Sequence, residues 1–207
     1  MLDGMLKPRV DPAIAAVGKW LADRGITANT VTYSAFALGM AAAIAIAAGH
    51  PIIGLLLIVI SRIGDGLDGA VARHSQATDF GGLIDIVLDF AFYGAIPLAF
   101  IILDPAANAL AGAVLIFSFY VNGASFLAYA IIAEKRGQST TARGTKSIYF
   151  TTGLAEATET YLVFGLFCLW PAGFAIVAWI FAIVCFYTAT ARLVLARSAF
   201  TDKPSDS

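Results

Sequence analysis

Charge is what this sequence has least of. Asp, Glu, Lys and Arg together make up 13% of its 207 residues, about half of the roughly 25% usual in a soluble domain. That scarcity excludes an ordinary soluble protein. The charges present nearly cancel, at a formal net charge of -1; without a basic face to meet phosphates, nucleic-acid binding is not expected. The two cysteines, Cys168 and Cys185, both fall inside apolar runs and read as small buried hydrophobes rather than as a disulfide or metal pair. There is no long polar tract, and the 19 glycines show no collagen-like period, so neither disorder nor a fibre fits. What fills the sequence is apolar: 59% of residues are hydrophobic and the mean hydropathy is +0.83. These values describe a polytopic membrane protein.

The first strongly apolar stretch runs from about Val31 to Ala48, late and long for the hydrophobic region of a signal peptide, so the N-terminus is expected to stay on the protein. A bilayer core about 30 Å thick calls for about 20 apolar residues of helix. The chain divides into six such runs, roughly 30–49, 51–73, 81–103, 107–133, 150–170 and 172–196. His50-Pro51, Asp104-Pro105 and Trp170-Pro171 punctuate them, since proline stops or restarts a helix. Glu134 to Lys146 forms the long polar connection. The 13 Lys and Arg residues lie before the first run, toward the end of the second, between the fourth and fifth, and from the end of the sixth onward. By the positive-inside rule this places both termini and the second and fourth loops in the cytoplasm. Ahead of the first run, Ile14, Val17, Trp20 and Leu21 recur at helical spacing, the pattern of a short helix over about 11–24 lying in the membrane interface. Trp20, Trp170 and Trp179 read as interface or packing aromatics. The expected fold is an all-α membrane protein: six transmembrane helices preceded by an interfacial amphipathic helix, in a single domain over 1–207.

Ionisable groups inside a span cost about 2.5–3.5 kcal/mol each at the bilayer centre. Asp65 and Asp68 nevertheless lie in the second run and Asp85 and Asp89 in the third. Separations of three and four residues return a side chain to one helix face. The short turn between the runs makes them antiparallel neighbours, so four carboxylates converge at similar depth. Arg62 and Arg73 are too few to neutralise four Asp, with Asp79 close by. Carboxylates so close need cations, and an oxygen-rich set without thiols suits Mg²⁺, Mn²⁺ or Ca²⁺ rather than zinc. Two bridged divalent ions fit this number of acids, and such a pair suits phosphoryl chemistry. Gly66, Gly69, Ala70, Ala72, Gly81 and Gly82 leave the flanks of both helices without bulk, which serves either helix packing or close approach of a ligand. Arg73 is placed to pair with a phosphate.

The run Asp65-Gly-Leu-Asp68-Gly69-Ala-Val-Ala72-Arg73, followed by Gly81-Gly-Leu-Ile-Asp85-Ile-Val-Leu-Asp89, resembles the signature of the CDP-alcohol phosphotransferases, D-x-x-D-G-x-x-A-R, a spacer, then G-x-x-x-D-x-x-x-D. Upstream, Thr27-Ala28-Asn29-Thr30-Val31-Thr32 is similar to the family's T-P-N segment, with Ala28 where proline is usual. The spacer between Arg73 and Gly81 is one residue shorter than is usual. The resemblance implies a bacterial six-span enzyme that moves a phosphatidyl group from CDP-diacylglycerol to the hydroxyl of an acceptor alcohol and releases CMP. It implies that Asp65, Asp68 and Asp85 hold two divalent cations, Mg²⁺ or Mn²⁺. Asp89 would share one of them and act as the base on the acceptor hydroxyl. Gly69, Ala72, Arg73, Thr78 and Gly81 would surround the cytidine diphosphate part of the donor. A homodimer follows by analogy, as does residence in the bacterial inner membrane with a cytoplasmic active site.

The acceptor is not written in the motif. Arg143, Lys146 and Arg192, together with Glu156 and Glu159 near the start of the fifth run, are candidates to line its pocket. If the cations converge, a phosphorylated acceptor fits. Asn122 and Ser125 read as interhelical hydrogen-bond formers. Two alternatives stand beside this reading: a family member using another CDP-alcohol donor, and a divalent-cation transporter in which the same acids bind a moving ion. The transporter is disfavoured, because the acids cluster toward one membrane face and the sequence carries no internal repeat.

Overall fold

The computed structural model of the chain describes residues 3–74, 77–137 and 154–201. Among these residues there is no strand. The helices are α1 (Asp3–Ala22), α2 (Ala28–Ala47), α3 (Pro51–His74), α4 (Asp79–Leu103), α5 (Pro105–Lys135), α6 (Ala157–Leu169) and α7 (Phe174–Thr201), with a 3₁₀ turn at Pro171–Gly173 between the last two.

The boundaries follow local chemistry. Thr27, Thr78 and Asp104 cap α2, α4 and α5, their side-chain oxygens accepting from the amides of Thr30, Gly81 and Ala107, which satisfies donors that a helix start leaves orphaned. The ends of α1 and α2 turn on Gly25 and Gly49 at φ 76° and 87°. Beyond Gly49 the His50 amide reaches back to the Ala45 carbonyl at 2.8 Å, the bond that closes a Schellman turn.

α2, α4, α5 and the segment Pro171–Phe200 are long and apolar enough to cross a bilayer. α3, at 24 residues, reaches about 36 Å, but it carries Arg62, Asp65, Asp68 and Arg73 in its second half. α6 has 13 residues and spans only about 20 Å, so the fifth expected run is shorter than 150–170; residues 150–153 lie outside the described ones. α1 starts earlier than the expected 11–24. Its Gly18 is buried against α3, where an added methyl would stand 2.5 Å from the Ala70 methyl. Val17 and Trp20, on its other side, stay exposed. The helix thus packs on a span while offering an aromatic face outward, as an interfacial helix does.

An aromatic column forms the core. Phe92 and Phe100 of α4, Phe164 and Phe167 of α6 and Phe174 of α7 are fully buried. Phe100 stacks on Phe174 at 5.0 Å between centroids, and Phe167 meets Phe174 at 4.6 Å. Glycines on neighbouring helices receive rings and methyls: Gly39 faces Phe92, Gly123 faces Phe90, and Gly112 faces Ile101. Small residues let membrane helices approach in this way. Outward faces carry Ile44, Leu110 and Tyr120 at about 70% exposure, apolar or amphipathic surface suited to lipid. Cys168 and Cys185 are free and buried, as their apolar surroundings predicted.

Candidate active site

The acids meet at the end of the bundle where α3 finishes and α4 begins. Asp65, Asp68 and Asp85 each offer a carboxylate oxygen within 4.8 Å of the others. A donor set of three carboxylates, without thiol or imidazole, fits a hard divalent cation. Asp68 is the most buried of the three, and the Thr32 hydroxyl of α2 donates to its Oδ2 at 2.7 Å. Asp89 joins them through Arg62, whose Nη1 lies 2.7 Å from Asp89 Oδ1 and 3.3 Å from Asp65 Oδ1. One guanidinium thus bridges two of the four carboxylates, Asp65 and Asp89, and makes no ion pair with Asp68 or Asp85.

Beside the acids lies a cavity of about 500 Å³ lined by Thr27, Ala28, Asn29, Thr32, Asp68, Gly69, Ala72, Ala77, Thr78, Gly81, Gly82 and Asp85. Two helix starts, those of α2 and α4, open onto it through their caps Thr27 and Thr78. Helix N-termini carry partial positive charge and free amides, so this wall favours an anionic group. The small residues divide by role. Ala70 is spent on packing under Gly18, and Gly64 on Ala35, whereas a methyl on Gly82 would meet nothing within 4 Å and one on Gly69 only the Arg73 guanidinium at 4.0 Å. Gly81 is filled from the side: a methyl there would come 2.8 Å from Asn29 Oδ1 and 3.1 Å from Thr78 Oγ1.

The structure brings together Asp68, Asp85, Gly69, Ala72, Thr78 and Gly81 around one cavity. Asp65 adjoins Asp68 and Asp85, Asp89 is tied in through Arg62, and Arg73 stands over Gly69. The acceptor candidates are more scattered. Arg143 and Lys146 lie outside the described residues. Arg192 of α7 donates from Nη1 to Asn122 O and Oδ1, both at 3.0 Å, and to Ser125 Oγ, so Asn122 and Ser125 do link helices. Glu156 stands at the N-cap of α6 without making a side-chain cap bond, and Glu159 is in the first turn. Sequence reasoning missed Thr32 and Asn29, and also Tyr161, whose hydroxyl lies 3.5 Å from Arg62 Nη1, and Tyr93, whose hydroxyl meets that of Tyr161 at 3.1 Å. Thr32 and Asn29 were visible as polar positions in the first turns of α2, but nothing local marks which acid a threonine 36 residues away will touch.

A family model for CDP-alcohol phosphatidyltransferase matches residues 25–188, a stretch that holds α2 through α6, the acids and the cavity. The chain belongs to the CDP-alcohol phosphatidyltransferase family. It is a transferase by membership, which sets the transporter alternative aside. The inner membrane protein YnjF of Escherichia coli is 44% identical over 193 residues, covering 93% of this chain and 94% of that one. The archaetidylinositol phosphate synthase of Pyrococcus horikoshii is 31% identical over 85 residues, 41% of this chain and 45% of that one. The phosphatidylinositol phosphate synthase of Mycobacterium tuberculosis shares the fold. Its structure with CDP-DAG bound superposes with a TM-score of 0.65 at 20% identity, covering 94% of this chain and 98% of that one. A second structure of it, in complex with manganese and citrate, gives 0.62 at 20% identity, covering 87% of both.

Proposed function

We propose that this family member transfers the phosphatidyl group of CDP-diacylglycerol to an acceptor alcohol at the cytoplasmic face of a bacterial inner membrane, releasing CMP. The observation that carries the reading is the cavity with Asp68 and Asp85 in its wall, walled otherwise by small residues and by two capped helix starts. That combination suits a diphosphate: amides and helix N-termini meet its oxygens, and Gly69, Ala72 and Gly82 leave room for the nucleotide. The mycobacterial relative's capture of CDP-DAG supports this donor. The Lys and Arg distribution and the name of the Escherichia coli relative support the location.

In this reading Asp65, Asp68 and Asp85 hold divalent cations, Mg²⁺ or Mn²⁺, with Asp89 sharing one. When bound, these ions supply Lewis-acid stabilisation of charge on the phosphate oxygens and the departing CMP. Arg73, beside Gly69, pairs with a donor phosphate. Thr78 keeps the first turn of α4 closed, so that Gly81 and Asp85 keep their places at the cavity. Asp89 takes the proton of the acceptor hydroxyl. The freed oxygen attacks the donor β-phosphorus, forming the new P–O bond as the bond to CMP breaks. Asp89 serves this step by its position, held by the Arg62 guanidinium at 2.7 Å.

The acceptor enters from the α6 and α7 side. Glu156 and Glu159 precede Tyr161 on α6, within about 8 Å of it along the helix axis, and the Tyr161 hydroxyl reaches the Arg62 guanidinium at 3.5 Å. Arg192 and Glu156 interact electrostatically, giving that side both a cation and an anion for a polar alcohol. Arg143 and Lys146 complete the proposed set. α1 serves as the interfacial helix, and the family resemblance adds a homodimer.

The test is CMP release from CDP-diacylglycerol by purified protein with Mg²⁺ or Mn²⁺. The acceptor panel is glycerol phosphate, inositol, inositol phosphate, serine, phosphatidylglycerol and amino alcohols. Acceptor-dependent CMP supports the reading and names the acceptor. Folded, cation-loaded protein that releases none with any acceptor, but does so from another CDP-alcohol, moves the donor assignment within the family.

A further inference from the structure

Arg62 lies outside the family signature, three residues before Asp65, yet it is the cation placed deepest among the acids. Its side chain is only 9% exposed. A buried guanidinium is costly unless its charge is met and its donors are used. Here Nη1 meets Asp89 Oδ1 at 2.7 Å and Asp65 Oδ1 at 3.3 Å. Nη2 donates to Ser61 Oγ at 3.1 Å, and Ser61 is itself fixed by its bond to the Ala35 carbonyl of α2 at 2.7 Å. The guanidinium lies over the Phe92 ring at 4.0 Å from its centroid and near the Tyr161 ring at 5.6 Å. The Tyr161 hydroxyl, 3.5 Å from Nη1, in turn meets the Tyr93 hydroxyl at 3.1 Å. Nε is buried without a hydrogen-bond partner. α2, α3, α4 and α6 thus all bear on this one group, and its rigid planar fork spans two carboxylates at once.

This arrangement has two consequences. One oxygen of Asp89 is pinned, which fixes the direction of the other. The bridge between Asp65 and Asp89 also puts a positive charge where the acids would otherwise draw a divalent ion. We propose that Arg62 is a positioning residue that holds Asp89 for the transfer step and, by bridging Asp65 and Asp89, competes with divalent cations for the acid cluster. The proposal rests on the reading that Asp89 takes the acceptor proton. It makes two readouts move in opposite directions: removing Arg62 slows turnover while tightening cation binding. A merely structural role would weaken both.

The experiment uses the full-length chain in detergent, with free Mn²⁺ followed by electron paramagnetic resonance and CMP release measured on the same preparations. For Arg62→Met the expected results are Mn²⁺ affinity higher by about tenfold, from loss of one unit charge at the cluster, and kcat lower by about ten- to hundredfold. The KM for the CDP donor stays within about twofold, because the cavity is untouched. Arg62→Lys keeps the charge without the fork, so Mn²⁺ affinity stays near wild type while kcat remains low. Mn²⁺ binding that is unchanged or weaker in folded Arg62→Met overturns the proposal, as does an unchanged kcat. If Arg62→Met does not fold, Arg62→Lys and Tyr161→Phe decide. Tyr161→Phe keeps the ring near the guanidinium but loses the hydroxyl, and should lower kcat with Mn²⁺ affinity unchanged; wild-type kcat in both variants overturns the proposal. A wild-type chain that releases no CMP overturns the functional reading instead, and the Mn²⁺ comparison still decides whether Arg62 competes for the acids.

Discussion

Thr32→Val isolates a single contact between α2 and the acid cluster. The Thr32 hydroxyl has one proton and two acceptors in reach, the Ala28 carbonyl at 3.0 Å and Asp68 Oδ2 at 2.7 Å; the shorter distance and the anionic acceptor assign the proton to Asp68. Valine has nearly the same shape, keeps the β-branch and removes only the hydroxyl. Both residues are buried at the cavity wall, so the substitution removes a fixed donor that a cavity water would not hold in the same place. A hydrogen bond to a charged group contributes about 1.5–3 kcal/mol. If the bond orients Asp68 as a cation ligand, that energy appears as Mn²⁺ affinity lower by about ten- to hundredfold, the range found for outer partners of metal ligands. Thr32→Ser keeps the hydroxyl and should remain within about threefold of wild type. The assay is the Mn²⁺ titration of purified protein, with thermal unfolding in the same detergent to show that the variant is folded. Mn²⁺ affinity within twofold of wild type in folded Thr32→Val would refute the assignment of Asp68 as a positioned ligand.

Three further outcomes are expected. Asp89→Asn should lower kcat by about 10²–10⁴-fold, the usual worth of a general base, in protein that still elutes as a folded species and still binds the CDP donor; aggregation in its place would contradict the catalytic assignment. Gly123→Ala places a methyl into the Phe90 ring and should destabilise the α4–α5 contact by about 1–3 kcal/mol, read as a lower unfolding midpoint, and an unchanged midpoint would count against that packing. Cys168 and Cys185, at 1% and 0% exposure, should resist a maleimide in folded protein and react on denaturation, which mass spectrometry checks.

Much of this site could be read along the chain because helices convert spacing into direction. Asp65 and Asp68, or Asp85 and Asp89, share a face by periodicity, and the short turn between α3 and α4 forces the pairs together. Thr27 and Thr78 were singled out by the family resemblance alone, and their role as helix caps emerges only in the structure. What stayed hidden depends on contacts between distant segments. Tyr161 lies 99 residues from Arg62, and no periodicity relates a tyrosine in an apolar run to a cation three helices earlier. The start of α6 was misplaced because hydropathy continues through Tyr149 and Phe150, while the helix begins only at Ala157, after Thr188 has bound the amides of Leu154 and Ala155. α3 shows the converse: its charges spoil its hydropathy, yet the helix runs unbroken, with Arg62, Asp65 and Asp68 engaging one another and neighbouring helices.

The rings seated in glycine notches have a consequence for the acids. α4 carries Asp85 and Asp89 on the same rod as Phe90 and Phe92, and those rings rest against Gly123 of α5 and Gly39 of α2. The notches behave as detents along the axis of α4. A slip of one helical turn, about 5.4 Å, would lift Asp85 and Asp89 off the level of Asp65 and Asp68 and scatter the cluster. With the notch of Gly112 against Ile101, the alignment of the chemistry therefore leans on three residues that have no side chain. Substitutions there would silence the enzyme with every acid still in the sequence, so a screen for lost activity should recover glycines alongside aspartates.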